Sequence, residues 1–177
     1  MKSEIVIIGA GGHGKVVCDA IIAQGEYNVA GFVDDTLAVG DMITSKYKVI
    51  ATQNNIHSLN NVVDYFIVAI GNNQVREKAY NTSKQYFKPA TVIHPSAVIG
   101  SNVKIGTGTI VLANAVINSS SNVGENTIVN TGVIIDHDSI IGNHIRLSIG
   151  TLVGSNSEIA DYYTSSIGDK INSFSKI

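Results

Sequence analysis

Residues 97–159 read AVIGSNVKIGTGTIVLANAVINSSSNVGENTIVNTGVIIDHDSIIGNHIRLSIGTLVGSNSEI, and this stretch decides the fold of the second half of the chain. Every sixth residue in it is aliphatic, over eleven successive repeats: Ile99, Ile105, Val111, Ile117, Val123, Val129, Ile135, Ile141, Leu147, Val153 and Ile159. Small residues recur two positions before the aliphatic, and Gly follows it at positions 100, 106, 124, 142 and 154. A six-residue repeat of this kind is typical of a parallel β-helix, in which each repeat is a short strand and a corner.

Each position of the repeat has an expected place in such a coil. The aliphatic side chain points inward and stacks on neighbouring coils, while Gly and Asn take the corners, where a positive φ costs little. The pattern breaks at Ser165, and Ile167 with Gly168 reads as the same repeat displaced by two residues. We therefore expect either an insertion near residues 162–165 or the end of the coil at that point.

Residues 1–90 alternate strand-like and helix-like segments, which predicts βαβ units and a parallel sheet of about four strands. The first strand has the β-branched, apolar composition of a buried parallel strand and ends at glycines. The helix after it ends at Gly25 and places four apolar side chains on one face: Val16, Val17, Ala20 and Ile21. The predicted segments are strands 5–8, 28–33 and 65–70 and helices 13–24 and 72–85.

Composition excludes several classes of protein. The chain has 177 residues with 12 basic and 14 acidic side chains, and a net charge of −2 without a basic run argues against nucleic-acid binding. The single cysteine, Cys18, excludes an internal disulfide and a multi-cysteine zinc site and fits a cytoplasmic location. No apolar stretch approaches the roughly 18 residues that cross a membrane, and the run at residues 5–8 is too short for a signal sequence.

The segment GAGGHG at residues 9–14 satisfies GxGxxG between a predicted strand and a predicted helix. Asp34 and Asp35 lie at the end of the second strand, where a carboxylate reaches a ribose hydroxyl or a base. This favours a nucleotide or nucleotide-sugar site whose phosphates meet backbone N–H groups at the helix N-terminus; the alternative is a tight strand–helix turn alone. A dehydrogenase is disfavoured because no second catalytic α/β domain follows. His13 either donates to phosphate or packs against its surroundings.

The run Asp136-His137-Asp138 lies inside the repeat, and His137 falls at a corner because Ile135 is the inward residue. A histidine flanked by carboxylates is oriented and made more basic, which suits a general base; the alternative is a solvated surface histidine. Metal binding is disfavoured, because adjacent residues chelate poorly. His144 has no comparable partner in the sequence and is expected at the surface.

Five segments taken together resemble one family: GAGGHGKVV, AIGNN, IHPSA, NTGVIIDHD and IGNHIRLS. The family is that of the bacterial sugar O-/N-acetyltransferases, which includes sialic acid O-acetyltransferases and UDP-4-amino-sugar N-acetyltransferases. The resemblance implies a Rossmann-like nucleotide-sugar-binding α/β domain, taken as residues 1–92. It implies that a left-handed parallel β-helix follows at residues 93–177. It also implies acetyl-CoA as the acyl donor, a homotrimer, active sites between neighbouring subunits and a role in surface polysaccharide biosynthesis.

Residue by residue, the resemblance assigns His137 as the catalytic base and Asp138 as the acid that raises its basicity. It places Gly11, Gly12 and His13 in the turn that holds the acceptor's nucleotide. Asp34 and Asp35 match the acidic pair at the base or ribose, and Gly71 matches the glycine near the substrate after the fourth strand. Arg146 stands where the family usually has a histidine near the thioester of acetyl-CoA. Family members also continue for one or two further coils, so the β-helix is expected to be shortened.

The prediction for the whole chain is an acetyl-CoA-dependent acetyltransferase that acts on an amino or hydroxyl group of a UDP-linked sugar, without a metal. Its few charges and flat, small-residue faces favour a homotrimer packed side by side. One alternative is a truncated, non-catalytic relative that binds a nucleotide-sugar and assembles as a trimer. A second alternative is a small NAD-binding regulator.

Overall fold

The computed structural model describes residues 2–177, and the chain divides into two compact units. The first unit runs to Ala90 and the second is Thr91–Ile177. The sequence places this boundary two residues later, between residues 92 and 93. Each unit has its own hydrophobic core of buried aliphatic and aromatic side chains.

The first unit is an α/β layer built on a parallel sheet. In the described residues the sheet has five strands in the order β3-β2-β1-β4-β5, and every neighbouring pair is parallel. This is one strand more than the sequence predicts, because β3 and β5 are too short to show a pattern of their own. The elements are β1 (Ser3–Ile8), α1 (Gly12–Gln24), β2 (Tyr27–Val33), β3 (Val49–Ala51), a 3₁₀ helix (Gln53–Leu59), β4 (Tyr65–Val68), α2 (Asn73–Ser83) and β5 (Lys88–Pro89).

Helix α1 buries the face that its sequence predicts, with one exception at Val16. Val17, Ala20 and Ile21 are buried as expected, but Val16 is 45% exposed and Cys18 is fully buried in its place. Burial raises the pKa of the Cys18 thiol to about 11, so this cysteine is a small core residue and not a nucleophile. The helix ends at Gly25, whose φ of 74° allows its N–H to bond the carbonyl oxygen of Ile21.

The second unit is a parallel β-helix of two-residue strands on three sheets. Each strand pairs with the strands one coil before and one coil after it, so Val116 lies between Val98 and Ile134. The three sheets have the orders β18-β16-β13-β10-β7, β17-β14-β11-β8 and β15-β12-β9-β6. The strands are β6 (Val92–Ile93), β7 (Val98–Ile99), β8 (Lys104–Ile105), β9 (Ile110–Val111), β10 (Val116–Ile117), β11 (Asn122–Val123), β12 (Ile128–Val129), β13 (Ile134–Ile135), β14 (Ile140–Ile141), β15 (Arg146–Leu147), β16 (Leu152–Val153), β17 (Glu158–Ile159) and β18 (Lys170–Ile171).

The corners of the coil repeat as strictly as its core. A residue with positive φ occurs at every sixth position from 102 to 174, and nine of these thirteen residues are not glycine. They include Asn at four positions but also Asp138, His144 and Tyr162. Tyr162 and Phe174 also adopt this conformation, which bulky side chains rarely do, so the stacking of coils imposes it.

The expectation that Gly and Asn take the positive-φ corners is confirmed at eight of the thirteen corners, four of each residue. The glycines that directly follow the inward aliphatic lie elsewhere in the coil. A Cβ on Gly106 would lie 2.5 Å from the backbone nitrogen of Glu125 in the next coil. A Cβ on Gly100 would lie 2.6 Å from the backbone nitrogen of Ser119. Glycine is needed at these positions because two backbones approach too closely for any side chain.

The repeat also continues where the sequence pattern breaks. Ser165 takes the inward position, is 3% exposed and hydrogen-bonds to Ser148 and Thr151 of the preceding coil. Ile171 is the next inward residue, and Glu158 pairs with Lys176 one coil further. Ile167, by contrast, is 75% exposed. The expected insertion or end of the coil near residue 165 was therefore wrong: a serine replaces the aliphatic without changing the period.

Small inward residues add a second ladder beside the aliphatic one. Thr127 donates its backbone N–H to the hydroxyl of Thr109, and Ile145 donates to the hydroxyl of Thr127. The residues of this ladder are buried: Thr109, Ser121, Thr127, Ser139, Thr151 and Ser157. Small hydroxyl residues fit here because each satisfies a backbone group in the neighbouring coil.

Replacement of Gly106 by Ala tests the close approach of the coils. We expect Gly106→Ala to lower the free energy of unfolding by about 1–3 kcal/mol, because the added methyl group forces two backbones apart. Gly132→Asn is the matched control, since a Cβ there meets open space and Asn tolerates the left-handed φ of 68°. Urea unfolding monitored by circular dichroism measures both variants, and equal stabilities would contradict the packing argument.

Candidate functional site

The glycines of the turn between β1 and α1 divide into packed and open positions. A Cβ on Gly9 would lie 2.8 Å from the carbonyl oxygen of Ala69, and Gly14 is pressed against the carbonyl of Gly9. Gly11 and Gly12 have no atom within 4 Å of an added Cβ. Among the described residues, no side chain caps the helix at Gly11. The open space at Gly11 and Gly12 therefore lies beside the first backbone N–H groups of α1, at the carboxyl edge of the sheet. The N-terminus of a helix favours a bound anion.

The two carboxylates at the end of β2 accept hydrogen bonds from different parts of the first unit. Asp34 accepts a hydrogen bond from the N–H of Ala10 at 2.8 Å and bonds from the N–H and hydroxyl of Thr36. Burial works to raise the pKa of Asp34, but the hydrogen bonds from Thr36 and Ala10 together outweigh it and lower the pKa. Asp35 instead accepts from the N–H of Gln53 at 2.8 Å. Asp34 thus shapes the glycine turn, and Asp35 extends the site toward the 3₁₀ helix.

The turn after β4 is held by an arginine that sequence reasoning missed. Arg76 is fully buried and donates to the carbonyl oxygens of Ile70 and Gly71 at 3.0 and 3.3 Å. It also bonds the side chain of Asn73 at 2.8 Å, while Asn72 caps α2 by accepting from the N–H of Val75. Gly71 is thereby fixed at the carboxyl edge of the first unit. An arginine in a polar helix gives no signal in the sequence that its side chain is buried.

His137 occupies a corner of the β-helix directly after β13. Its Nδ1 lies 2.7 Å from Oδ2 of Asp138, and the two side chains are 50% and 54% exposed. Asp138 has a φ of 57° and binds the preceding coil through its N–H and the carbonyl oxygen of Ser119. The carbonyl oxygen of His137 accepts from the N–H of Asn156 in the following coil. The backbone under the imidazole is therefore anchored on both sides.

The charges around this corner make the imidazole more basic. The hydrogen bond to Asp138 is the main cause that raises the pKa of His137, with the charges of Asp136 and Asp138 adding to it. Because Nδ1 donates to Asp138, Nε2 is left as the acceptor nitrogen of the neutral ring. The arrangement suits proton abstraction by Nε2.

Asn118 supports the corner from one coil below, and the sequence analysis missed it. Its side-chain Nδ2 donates to Oδ1 of Asp136 at 2.9 Å, and the N–H of His137 donates to the same oxygen. The hydrogen bond from Asn118 is the main cause that lowers the pKa of Asp136. Asn118 lies 18 residues, or one full coil, before Asp136. The sequence could therefore have identified it as a residue three six-residue repeats away.

A groove of about 410 Å³ lies beside this corner on the outer face of the sheet that contains β13. Asn118, Asp136 and Ile134 line one part of it, and Leu152 and Lys170 line another. The same face carries a column of exposed apolar side chains, and Val98 and Ile134 are its most exposed members. A polar corner next to an exposed apolar face is an arrangement found at the edges of protein interfaces.

His144 and Arg146 are placed differently by the structure. The prediction of a surface His144 was wrong: it is 7% exposed, stacks on Tyr162 at 5.3 Å and bonds the amide of Asn126 through Nδ1. These three residues occupy the same corner of three successive coils. Arg146 is half-buried in β15, next to the inward Leu147 and therefore on the outer side of the sheet.

Residues 2–177, the part of the chain that the structure describes, hold neither a cluster of metal-binding side chains nor a membrane-spanning helix. They contain no group of three or more His, Cys, Asp or Glu side chains that could hold a metal ion. Neither α1 nor α2 nor any other helix in them is long and apolar enough to span a bilayer.

The chain is similar in sequence to known proteins. Residues 4–83 match the PglD N-terminal domain family. The UDP-N-acetylbacillosamine N-acetyltransferase of Bacillus subtilis (strain 168) is 32% identical over 112 residues, which are 60% of this chain. The aligned part spans half of the length of that curated relative.

Solved structures resemble the chain over nearly its whole length. The acetyltransferase domain of PglB from Neisseria gonorrhoeae FA1090, in complex with acetyl coenzyme A, is 32% identical with a TM-score of 0.73. The structural alignment covers 98% of this chain and 86% of the PglB chain. A mutant perosamine N-acetyltransferase from Caulobacter crescentus, in complex with CoA and GDP-perosamine, is 28% identical with a TM-score of 0.77 and covers 98% and 88% of the two chains. The Rossmann-like unit followed by a left-handed β-helix is thus confirmed as the fold.

The pair of His137 and Asp138 can be tested without any substrate. We expect the imidazole of His137 to titrate above the ordinary histidine pKa of about 6.5, because the carboxylate stabilises the protonated ring. Asp138→Asn should move the pKa of His137 downward, since it removes the charge and retains the side-chain size. Histidine Cε1 proton shifts in an NMR titration measure both proteins, with His57 as the internal reference; an unchanged pKa in the variant would contradict the pairing.

Proposed function

The chain belongs to the bacterial sugar O-/N-acetyltransferases of the hexapeptide-repeat type, and we propose that it transfers an acetyl group from acetyl-CoA to an amino group of a nucleotide-linked sugar. The relatives from Bacillus subtilis and Caulobacter crescentus are N-acetyltransferases, which favours nitrogen over oxygen as the acceptor atom. We take UDP as the nucleotide to be tested first.

The observation that carries the proposal is the hydrogen-bonded pair of His137 and Asp138. A half-exposed imidazole, 2.7 Å from a carboxylate and anchored by the coils above and below, has the geometry of a general base. A solvated surface histidine without a functional role needs neither a carboxylate partner nor the hydrogen bond between Asn118 and Asp136 in the adjacent coils.

The proposed chemistry is direct transfer without an acyl-enzyme. The neutral sugar amine attacks the thioester carbonyl carbon, and Nε2 of His137 takes the proton that the nitrogen loses. As the carbon–sulfur bond breaks, the same proton can pass to the departing thiolate, which returns His137 to its neutral form. Asp138 holds the ring in the required tautomer and stabilises the transient imidazolium. Cys18 takes no part, because it is buried and its pKa is raised.

Acetyl-CoA supplies the acyl group as a thioester, and the outer surface of the β-helix offers it polar partners. Arg146 projects from β15 and carries a guanidinium that can donate to a carbonyl or phosphate oxygen. Unlike a histidine, it cannot act as a neutral acceptor. The presence of Arg146 in place of a histidine is the feature that favours a second candidate function. In it, the protein binds a nucleotide-sugar but does not catalyse acetyl transfer.

The acceptor's nucleotide is assigned to the first unit. Gly11 and Gly12 leave room for phosphate at the start of α1, with His13 in the first turn of that helix. Asp35 and Gly71 lie on the same carboxyl edge of the sheet, after β2 and β4. In open parallel sheets, ligands bind outside this edge, where the strand order reverses.

We also propose a homotrimer whose active sites lie between subunits, and a cytoplasmic location. The apolar column on the β13 sheet suits a contact with another copy, and the His137 corner borders that column. The buried free thiol of Cys18 fits a reducing compartment. Sedimentation equilibrium that gave a stable monomer at micromolar concentration would remove the interface from the proposal.

The decisive experiment compares turnover in wild type and His137→Ala. We expect the variant to lose roughly 10²–10⁴-fold in the rate of acetyl transfer to a UDP-4-amino-sugar, the usual contribution of a positioned base. In the wild type, kcat should rise with pH through an apparent pKa above about 6.5, because the neutral imidazole is the active form and Asp138 raises its pKa.

Thiol release from acetyl-CoA measures this rate, and nucleotide-sugar affinity serves as the control that the fold is intact. Equal turnover in wild type and His137→Ala would remove His137 from the mechanism. Nucleotide-sugar binding without turnover in either protein would support the non-catalytic candidate.

A pair of glycine substitutions tests the nucleotide site. Gly12→Val should abolish UDP binding with little change in melting temperature, because its side chain enters open space where phosphate would approach. Gly14→Ala should instead lower the melting temperature, since its methyl group meets the carbonyl of Gly9. Calorimetry and thermal melts measure the two effects, and normal UDP binding by Gly12→Val would show that the turn is structural only.

A further inference from the structure

Two successive coils carry polar side chains at a position where the coils on either side of them have glycine. The position comes directly after strands β7, β10, β13 and β16, and its residues are Gly100, Asn118, Asp136 and Gly154. All four have the same backbone bond, because the N–H of each donates to the carbonyl oxygen of the inward residue one coil later. Asn118 and Asp136 therefore place side chains where the flanking coils have none.

The glycine coils show what a side chain at this position faces. A Cβ on Gly100 would lie 2.6 Å from the backbone nitrogen of Ser119, in the next coil. Gly154 makes the same close approach in its own coil. Because the register is constant, Asn118 stands opposite the backbone nitrogen of His137. Packing of the coils alone favours glycine at this point, since a Cβ requires the two backbones to separate.

The two side chains bond each other and the histidine. Nδ2 of Asn118 donates to Oδ1 of Asp136 at 2.9 Å, and the N–H of His137 donates to the same oxygen at 2.9 Å. The ring of His137 is fixed separately, through Nδ1 and Oδ2 of Asp138 at 2.7 Å. Asp136 thus binds the backbone of His137, whereas Asp138 binds its ring.

We propose that Asn118 and Asp136 are positioning residues for His137. Asn118 orients the carboxylate of Asp136, and this carboxylate holds the N–H of His137 so that Nε2 meets the acceptor amine. The replacement of glycine in two adjacent coils carries the inference, because residues that depart from a local packing preference are expected at functional sites. The inference rests on the role of His137 proposed above.

The pair also brings a negative charge to the corner. The hydrogen bond from Asn118 is the main cause that lowers the pKa of Asp136, so this carboxylate is ionised at neutral pH. Its charge adds to the rise in the pKa of His137, whose main cause is the hydrogen bond to Asp138. Lys170 is the other charged side chain that lines the groove beside this corner.

Asn118→Gly separates positioning from stability, because it removes the amide donor and restores the residue that packing favours. We expect kcat for acetyl transfer to a UDP-4-amino-sugar to fall about tenfold, with KM for the nucleotide-sugar within about threefold of wild type. The melting temperature should stay within about 4 °C of wild type, since closer packing offsets the lost hydrogen bond. A purely structural role predicts the reverse, a lower melting temperature with an unchanged kcat.

Asn172→Gly is the matched control. Asn172 occupies the same position two coils after Asp136, is exposed, and has no described coil after it. The substitution is therefore the same, but it removes no contact with His137. This variant should keep kcat within about twofold of wild type.

Asp136→Asn tests the charge with little change in shape, because an amide oxygen can still accept from the N–H of His137. The midpoint of the kcat–pH profile should move to lower pH, since the protonated imidazole loses a stabilising charge. An NMR titration of His137 should show the same shift without substrate. At high pH, where the imidazole is neutral in both proteins, kcat should remain within about threefold of wild type.

The outcomes distinguish this inference from the proposed function. A wild type that binds the nucleotide-sugar without turnover would overturn the proposed catalysis and the positioning role with it. An active wild type whose Asn118→Gly variant has a normal kcat would overturn the positioning role alone. If Asn118→Gly melts early, Asp136→Asn decides, and an unchanged pH midpoint with an unchanged titration of His137 would overturn the proposal.

Discussion

The hydrogen-bond register between successive coils, set by three six-residue repeats, is the constraint on which the second unit depends. Backbone groups at Val116 bond the coils of Val98 and Ile134, and the same offset holds on all three sheets. Three corners must then turn within each coil, and each does so through one residue in the left-handed region. Because two-residue strands bury little surface alone, the fold is stable only when neighbouring coils keep this register.

The same constraint builds the candidate catalytic corner. Asp138 has a positive φ because it occupies a corner position, and in that conformation its carboxylate lies 2.7 Å from the imidazole of His137. Asn118 reaches Asp136 from one coil away for the same reason. Hydrogen bonds from the coils on both sides therefore hold the backbone of His137 and Asp138 at the protein surface. Side chains from adjacent coils act together here although they are distant in the chain.

In the first unit, close backbone approach divides the glycine turn into structural and open positions. Gly9 and Gly14 are packed against backbone, which lets the strand and the helix meet, whereas Gly11 and Gly12 face space. The acidic pair is divided in a similar way, since Asp34 bonds the turn and Asp35 bonds the 3₁₀ helix. One sheet edge therefore carries an open glycine turn and, next to it, a carboxylate that contacts the 3₁₀ helix.

The sequence by itself determined the six-residue period, the two-unit order, the GxGxxG turn and the His137–Asp138 pair, because each is a local pattern in residues 9–14 or 97–159. Only the tertiary structure decided which residues meet across coils or across the sheet edge. It kept Ser165 inward, buried His144 against Tyr162, exposed Val16 and placed Gln53 in a cavity beside Asp35. The physical reason is that burial and hydrogen bonding at these positions come from neighbours that the folded backbone brings together, and a serine or a histidine has no local pattern that reveals them.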